Sequence, residues 1–328
     1  AMNKSMMAVS AIGLMLTVAT ATAAPNWGKA PAKNIPLVYN GQASLEWALR
    51  GTEHGGAKAM KKHETCRECH DQEADDIGKK IVSGEKLEPK PIKGKPGVIP
   101  VTVQATYDAA NLYIRMQWKD TKAVSGEKMD KTNQVKVAMM LDDGGKVEYA
   151  NEGGCWASCH HDLRSMPDVD PNASKHPKAK ALDIRSNGPT KYLKESRTDL
   201  SIKDKPRGGW NKPRSDADIA AALKEGKFLD IVQFRSAAAP RDGYVLDARR
   251  MKEAPGVAEG KLENGAWTVT FVRKLAGGEG DHKIAAGRTY NIGFAIHDDY
   301  TDYRFHHVSF GHTLALDNPK AIINAVKQ

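Results

Sequence analysis

No stretch of this sequence stays apolar long enough to span a bilayer comfortably, so a membrane-embedded body is excluded and any membrane contact is local. It has no internal repeat, no low-complexity tract and no dense basic run. The last absence argues against nucleic acid as a partner, although the formal net charge is +9. Spacing of the βαβ kind is missing too, which argues against a parallel sheet. Nor is there a convergent set of acid, base and nucleophile of the sort a catalytic centre requires. What is present is a soluble globular balance, 40% hydrophobic and 27% charged, in a chain long enough for one large or two modest domains.

The N-terminus sets the expected compartment. Lys4 precedes an apolar run from Met6 to Val18, and small residues follow through Ala21-Thr22-Ala23. This order predicts a secretory signal peptide over residues 1–23 and a periplasmic protein with no stable membrane insertion after cleavage, a retained anchor being the alternative. Lys4 is the one charged residue of that segment, so the mature chain keeps +8. Such an excess implies mild steering toward acidic protein surfaces, or simply solvated lysines.

Residues 24–87 are polar, with one helix-like stretch from Asp71 to Val82 and no strand signal, and are expected to form a small, mainly helical domain. The prolines and glycines of residues 88–100 predict a stiff linker. From residue 101 to 328 the pattern changes to period two: Val101-Thr102-Val103-Gln104-Ala105, Leu112 to Trp118, Val135 to Leu141, Trp267 to Phe271 and Ile292 to Ile296 each put apolar residues on one face. Short alternating strands of this kind predict an antiparallel β-sandwich, a mainly β fold. Between residues 153 and 240 the pattern lapses into a long polar insertion with one helix, capped by Ser215 and closed at Gly226.

The four cysteines fall in two pairs, Cys66-Arg67-Glu68-Cys69-His70 and Cys155-Trp156-Ala157-Ser158-Cys159-His160. In the first, two thiols three positions apart can add to the two vinyl groups of a haem while His70 binds the iron, the chemistry behind Cys-x-x-Cys-His. The second has one more residue between its cysteines, yet His160 keeps its place beside Cys159. Two covalent c haems are therefore expected, on Cys66, Cys69 and His70 and on Cys155, Cys159 and His160. The alternatives are disulfides, a zinc site gathered from both pairs, and a thioredoxin-like redox pair. A Cys66–Cys69 disulfide would close only a tiny loop, zinc would leave both histidines unexplained, and no βαβ pattern surrounds Cys66.

Gln104-Ala105-Thr106-Tyr107-Asp108 with Leu112-Tyr113-Ile114-Arg115, Gly154-Cys155-Trp156-Ala157-Ser158-Cys159-His160, and His306-His307-Val308-Ser309, in that order, resemble the haem-binding domain of the ethylbenzene dehydrogenase gamma-subunit and DMSO-reductase-like group. The likeness runs from Val101 to about Asp317 and is preceded here by the Cys66 haem unit. It implies a β-sandwich with haem at its edge and electron transfer with periplasmic redox proteins, often a molybdenum oxidoreductase; a quinol-linked membrane cytochrome is a further candidate partner. Gamma subunits of that group hold a b haem through Met and Lys, whereas this sequence offers two cysteines and His160, so those ligands do not carry over.

Two haem sites without a catalytic cluster predict an electron carrier. The alternatives are a dihaem oxidoreductase acting on a small nitrogen or sulfur species, which needs an iron with an open position, and a haem-based sensor or assembly subunit. For the sixth ligand of the first haem the reach of the chain favours His54 over His63, with Met60 the rival. For the second haem, His161 and Met166 lie too near His160 in sequence. A distant histidine from Tyr303 to Ser309 is expected, His307 slightly ahead of His306, with His297 and His312 behind them.

Overall fold

The computed structural model describes residues 24–41, 43, 45–49, 54–88, 90–122, 128–157, 193–196 and 214–328; the expected signal peptide lies outside them. Thirteen strands form one hydrogen-bonded sheet. They are β1 Lys33–Tyr39, β2 Val98–Tyr107, β3 Asn111–Lys119, β4 Lys136–Asp142, β5 Leu229–Arg235, β6 Arg241–Val245, β7 Arg249–Glu253, β8 Ala258–Glu263, β9 Ala266–Lys274, β10 Thr289–His297, β11 His307–Val308, β12 His312–Leu316 and β13 Ile323–Lys327. The helices are short: α1 Leu45–Ala48, α2 Ala57–Met60, α3 Cys66–His70, α4 Ala74–Val82, α5 Ala150–Gly153 and α6 Asp216–Lys224. None of the described helices is long and apolar enough to cross a membrane.

The fold is mainly β, as the period-two pattern implies. The sheet runs β7-β6-β5-β4-β10-β11-β1-β2-β3-β9-β8, and β12 and β13 bridge β10 to β2. The sheet thereby closes over one core, where Val103, Ile114, Met116 and Phe271 from one side meet Val137, Met139, Val232 and Phe294 from the other. Pairings are antiparallel except β12 with β13 and β13 with β2, which are parallel. Ser215 caps α6 by accepting from the Asp218 amide, and Gly226 adopts a positive φ just past its end.

Three expectations about organisation need correction. Residues 24–87 do contain a strand: β1 pairs with both β2 and β11 inside the sheet. Its signal is muffled by Pro36, which lies opposite Pro100. Neither proline has an N–H, so the two can face each other only at a non-hydrogen-bonded position. The insertion does not run to residue 240 either, because β5 already pairs with β4 and β6. Six of its seven residues are buried, and a strand covered on both faces shows no alternation to read.

The 88–100 segment, finally, is not a solvent-exposed spacer. Its end is part of β2. Glu88 is buried against Arg304, whose guanidinium donates to it at 2.6 Å, and Lys95 is buried against Asp298. Proline and glycine do keep residues 88–97 out of regular ladders, but these charges are partnered in the interior instead of being hydrated.

Candidate haem site

α3 starts at a capping box: the Thr65 hydroxyl accepts from the Glu68 amide, and the Glu68 carboxylate accepts from the Thr65 amide. The helix it nucleates puts Cys66 and Cys69 three positions apart, with His70 four from Cys66, so all three lie on neighbouring parts of one helix face. Cys66 and Cys69 are thiols in the structure, not a disulfide. Burial first, and the carboxylate of Glu152 second, push the Cys66 thiol up to about 12. A thiol so reluctant to ionise is a poor redox nucleophile, which counts against a thioredoxin-like pair.

Beside α3 lies a cavity of about 350 Å³, walled mainly by Ala43, Leu45, Met60, Ile77, Ile81 and Phe310, and reached by Cys66, His54 and His70. The two imidazoles both line this cavity, with ring centres 6.0 Å apart and planes inclined by 36°. Nδ1–H of His54 donates to the Ala48 carbonyl at 2.7 Å, and Nδ1–H of His70 donates to the Glu73 carboxylate at 3.0 Å. In both rings Nε2 thus carries the lone pair, the arrangement that orients a metal-binding histidine. Burial lowers the pKa of His54 against the opposing Ala48 hydrogen bond, and nearby His70 lowers it further.

An imidazole nitrogen binds a first-row metal at about 2 Å, so two rings on opposite sides of one ion stand about 6 Å apart between centres. The donor set, the apolar walls and this separation fit a six-coordinate haem attached to Cys66 and Cys69. Met60 also lines the cavity and is buried with Leu45, Leu49 and Tyr149.

The second motif sits against the same wall. Gly154, at a positive φ, brings its backbone so close to Phe310 and Gly311 that a Cβ there would strike them. Trp156 consequently stacks on Phe310, with ring centres 5.1 Å apart, and Phe310 in turn stacks on His70 at 6.3 Å. Cys155 is buried beside Gly293. Cys159 and His160 lie outside the described residues. His63, in a left-handed backbone conformation, donates to Glu152 at 2.7 Å and so ties the turn before α3 to α5, just ahead of Cys155.

The structure does not bring His306 or His307 to this cavity. Nε2–H of His307 donates to the Pro96 carbonyl at 2.7 Å, while its Nδ1 faces Asp298 at 3.4 Å. Nδ1–H of His306 donates to the Tyr303 carbonyl, and its ring stacks on His297 at 4.5 Å. His307 thus binds the 88–97 segment to the β10–β11 connection, and His306 packs against the end of β10; Cys159 and His160, beside which their haem is expected, lie outside the described residues. His312, also buried, donates to the Phe310 carbonyl, and burial pushes its pKa down to about 4.

Sequence reasoning missed Glu73, Phe310 and the α4 wall. Glu73 was readable, being three residues after His70 and so on the same side of a helical turn. Phe310 had no signal beyond its place after the His306 to Ser309 strand. Elsewhere, Asp230, Asp242 and Asp281 cluster within ligand range of one another, but Arg273 sits among them and donates to all three. That cluster is a buried salt-bridge network.

A β-sandwich bearing a Cys-x-x-Cys-His helix on an apolar cavity, with a second histidine opposite the first, defines the class as one equipped for covalent haem. The chain belongs to the ethylbenzene dehydrogenase family, whose model matches residues 24–309. Among curated relatives, a cytochrome c-552 of Stutzerimonas stutzeri is 42% identical over the whole of both chains. A cytochrome c-551 of Rhodocyclus tenuis is 29% identical, over 93% of this chain and all of that one. A family 9 carbohydrate-binding module from Caldicellulosiruptor kristjanssonii covers 70% of this chain and 75% of its own at 9% identity and a TM-score of 0.25, too distant to bear on function.

Proposed function

We propose that this chain is an exported dihaem c-type cytochrome that passes electrons between periplasmic redox proteins. Cys66 and Cys69 would hold one haem covalently, and His70 and His54 would bind its iron. Cys155, Cys159 and His160 hold the second. The observation that carries the reading is the pair of imidazoles, His54 and His70, each held by an Nδ1–H bond, with ring centres 6.0 Å apart in the wall of one largely apolar cavity beside Cys66. The relatives named cytochrome c support it as well.

Bound haem supplies a one-electron iron couple. The chain's own residues do the rest. Glu73 and the Ala48 carbonyl hold the two imidazoles in one tautomer, and the apolar walls exclude water. His54 and His70 would hold the iron from two imidazoles, which would favour electron transfer over catalysis on a small substrate. Proposed partners are periplasmic redox proteins, a molybdenum oxidoreductase or a quinol-linked membrane cytochrome among them.

The test is the mass of the denatured mature protein, joined to EPR of the oxidised holoprotein. Two haem increments and low-spin signals inert to carbon monoxide are expected. One increment would overturn the dihaem assignment. A haem that binds carbon monoxide would favour the dihaem oxidoreductase.

A further inference from the structure

We infer that Lys80 and Lys86 form the carboxylate-binding end of the cavity and receive the two propionates of the haem attached at Cys66 and Cys69; this rests on the haem site proposed above. A c haem is polar along one direction. Its thioether bonds lie at one edge of the ring, and its two carboxylates leave from the opposite edge. A pocket built for it therefore needs cysteines at one end and cations or water at the other.

α4 runs along the cavity between two such ends. Ala74, at its start, packs in the cluster that Cys66 touches, and Ile77 lies in the wall between. Ile81 and Leu87 belong to the next cluster, beyond Ile77. From Ala74 to Lys80 the helix rises about 9 Å at 1.5 Å per residue, comparable with the width of a porphyrin. The loop after α4 then folds back, the Lys86 amide donating to the Lys80 carbonyl at 3.1 Å. Both lysines are thereby brought to the end of the cavity away from Cys66.

Electrostatics point the same way. Among the described residues, Lys80 and Lys86 are the ammonium groups of the cavity wall and Glu73, which accepts from His70, is its carboxylate. Neither ammonium is in an ion pair among the described residues. Both residues are solvent-exposed, so they sit at the mouth, where a carboxylate can be paired without being fully dehydrated. Their long stems can cover the ring edge while the charged heads stay wet.

The experiment is a redox titration of the holoprotein, following the haem absorption bands, for Lys80→Gln, Lys86→Gln and the double variant. Lys79→Gln is the control: it removes the same charge from an exposed position of α4 outside the cavity wall. Loss of a propionate partner leaves more uncompensated negative charge beside the iron and stabilises its ferric form. The double variant should therefore have a lower midpoint potential than the control, each single variant should lie between, and Lys80→Arg with Lys86→Arg should restore the wild-type value.

A double-variant shift no larger than that of Lys79→Gln would overturn the assignment. So would unchanged potentials with slower reduction by an acidic partner, which would make the lysines a docking site. The haem reading fails separately, if wild-type protein carries no haem mass on a Cys66–Cys69 peptide.

Discussion

At the scale of single residues, the histidines divide by what their ring nitrogens meet. His54 and His70 each spend Nδ1–H on an oxygen of the chain and line one cavity with ring centres 6.0 Å apart. His54→Ala should therefore keep the covalent haem mass but convert that haem from six-coordinate low-spin to a high-spin form that binds carbon monoxide, read by EPR and absorbance. Met60→Ala should leave the low-spin signal in place; its loss would make Met60 the ligand. His307 gives the opposite expectation. Its Nε2–H serves the Pro96 carbonyl, and its Nδ1 lies 3.4 Å from Asp298, so His307→Ala should leave every haem spin state unchanged. It should lower unfolding stability by about 1–3 kcal/mol, the cost of leaving a buried polar partner unsatisfied, measured by urea denaturation.

At the scale of elements, what holds the helices around Cys66 and His70 to the sheet is the segment between them. Glu88 accepts from Arg304 and from the Tyr39 hydroxyl, and all three side chains are buried. Glu88→Ala would remove the buried carboxylate that accepts from both Arg304 and Tyr39, so a loss of about 3–5 kcal/mol of unfolding stability is expected in urea denaturation. α4 lies close enough to this segment that a Cβ on Gly78 would be driven into the Gly97 carbonyl. Gly78→Ala should cost about 1–3 kcal/mol and displace the cavity wall, shifting the haem absorption bands as well.

These same elements mark how far the sequence could be read. Strands with one wet face, such as β3 and β9, announced themselves by alternation, and the Cys66 to His70 spacing declared its chemistry. β5, buried on both faces, had no alternation to show. β1 carried a proline, and Glu88 and Lys95 looked like linker charges because their partners lie about two hundred residues away in the chain. The reach argument led to His54, which the structure places opposite His70. At His307 it had less to work with, because strand parity says which face a side chain takes but not which neighbour waits there, here the Pro96 carbonyl.

At the scale of the whole molecule, burial sets a dependence of stability on pH that begins well above the carboxylate range. His282, His297 and His312 are all held below the ordinary histidine pKa of 6.5, burial being the leading cause in each, and His312 reaches about 4. A histidine whose folded pKa is depressed takes up its proton more readily in the unfolded chain. Its contribution is therefore complete above pH 6.5 and is lost as pH falls toward the folded value. For His312 the full drop is on the order of 3 kcal/mol, at about 1.4 kcal/mol per pH unit. The carboxylates add a second, lower window. Burial opposes ionisation of Asp298 and Asp130, but Lys95 and His307 for the first, and the Asn133 amide and Lys136 for the second, more than offset it. Both stay well below the ordinary value of 3.8, so their contribution is present above that pH and is lost only below it. Urea midpoints of the holoprotein should accordingly be level above pH 7, decline between pH 6.5 and 4, and fall again in stronger acid. His312→Asn, whose amide can still donate to the Phe310 carbonyl, should flatten the first decline without altering the second. A midpoint that stays level from pH 7 down to pH 4 would mean that these rings are already protonated, or hydrated, in the folded protein.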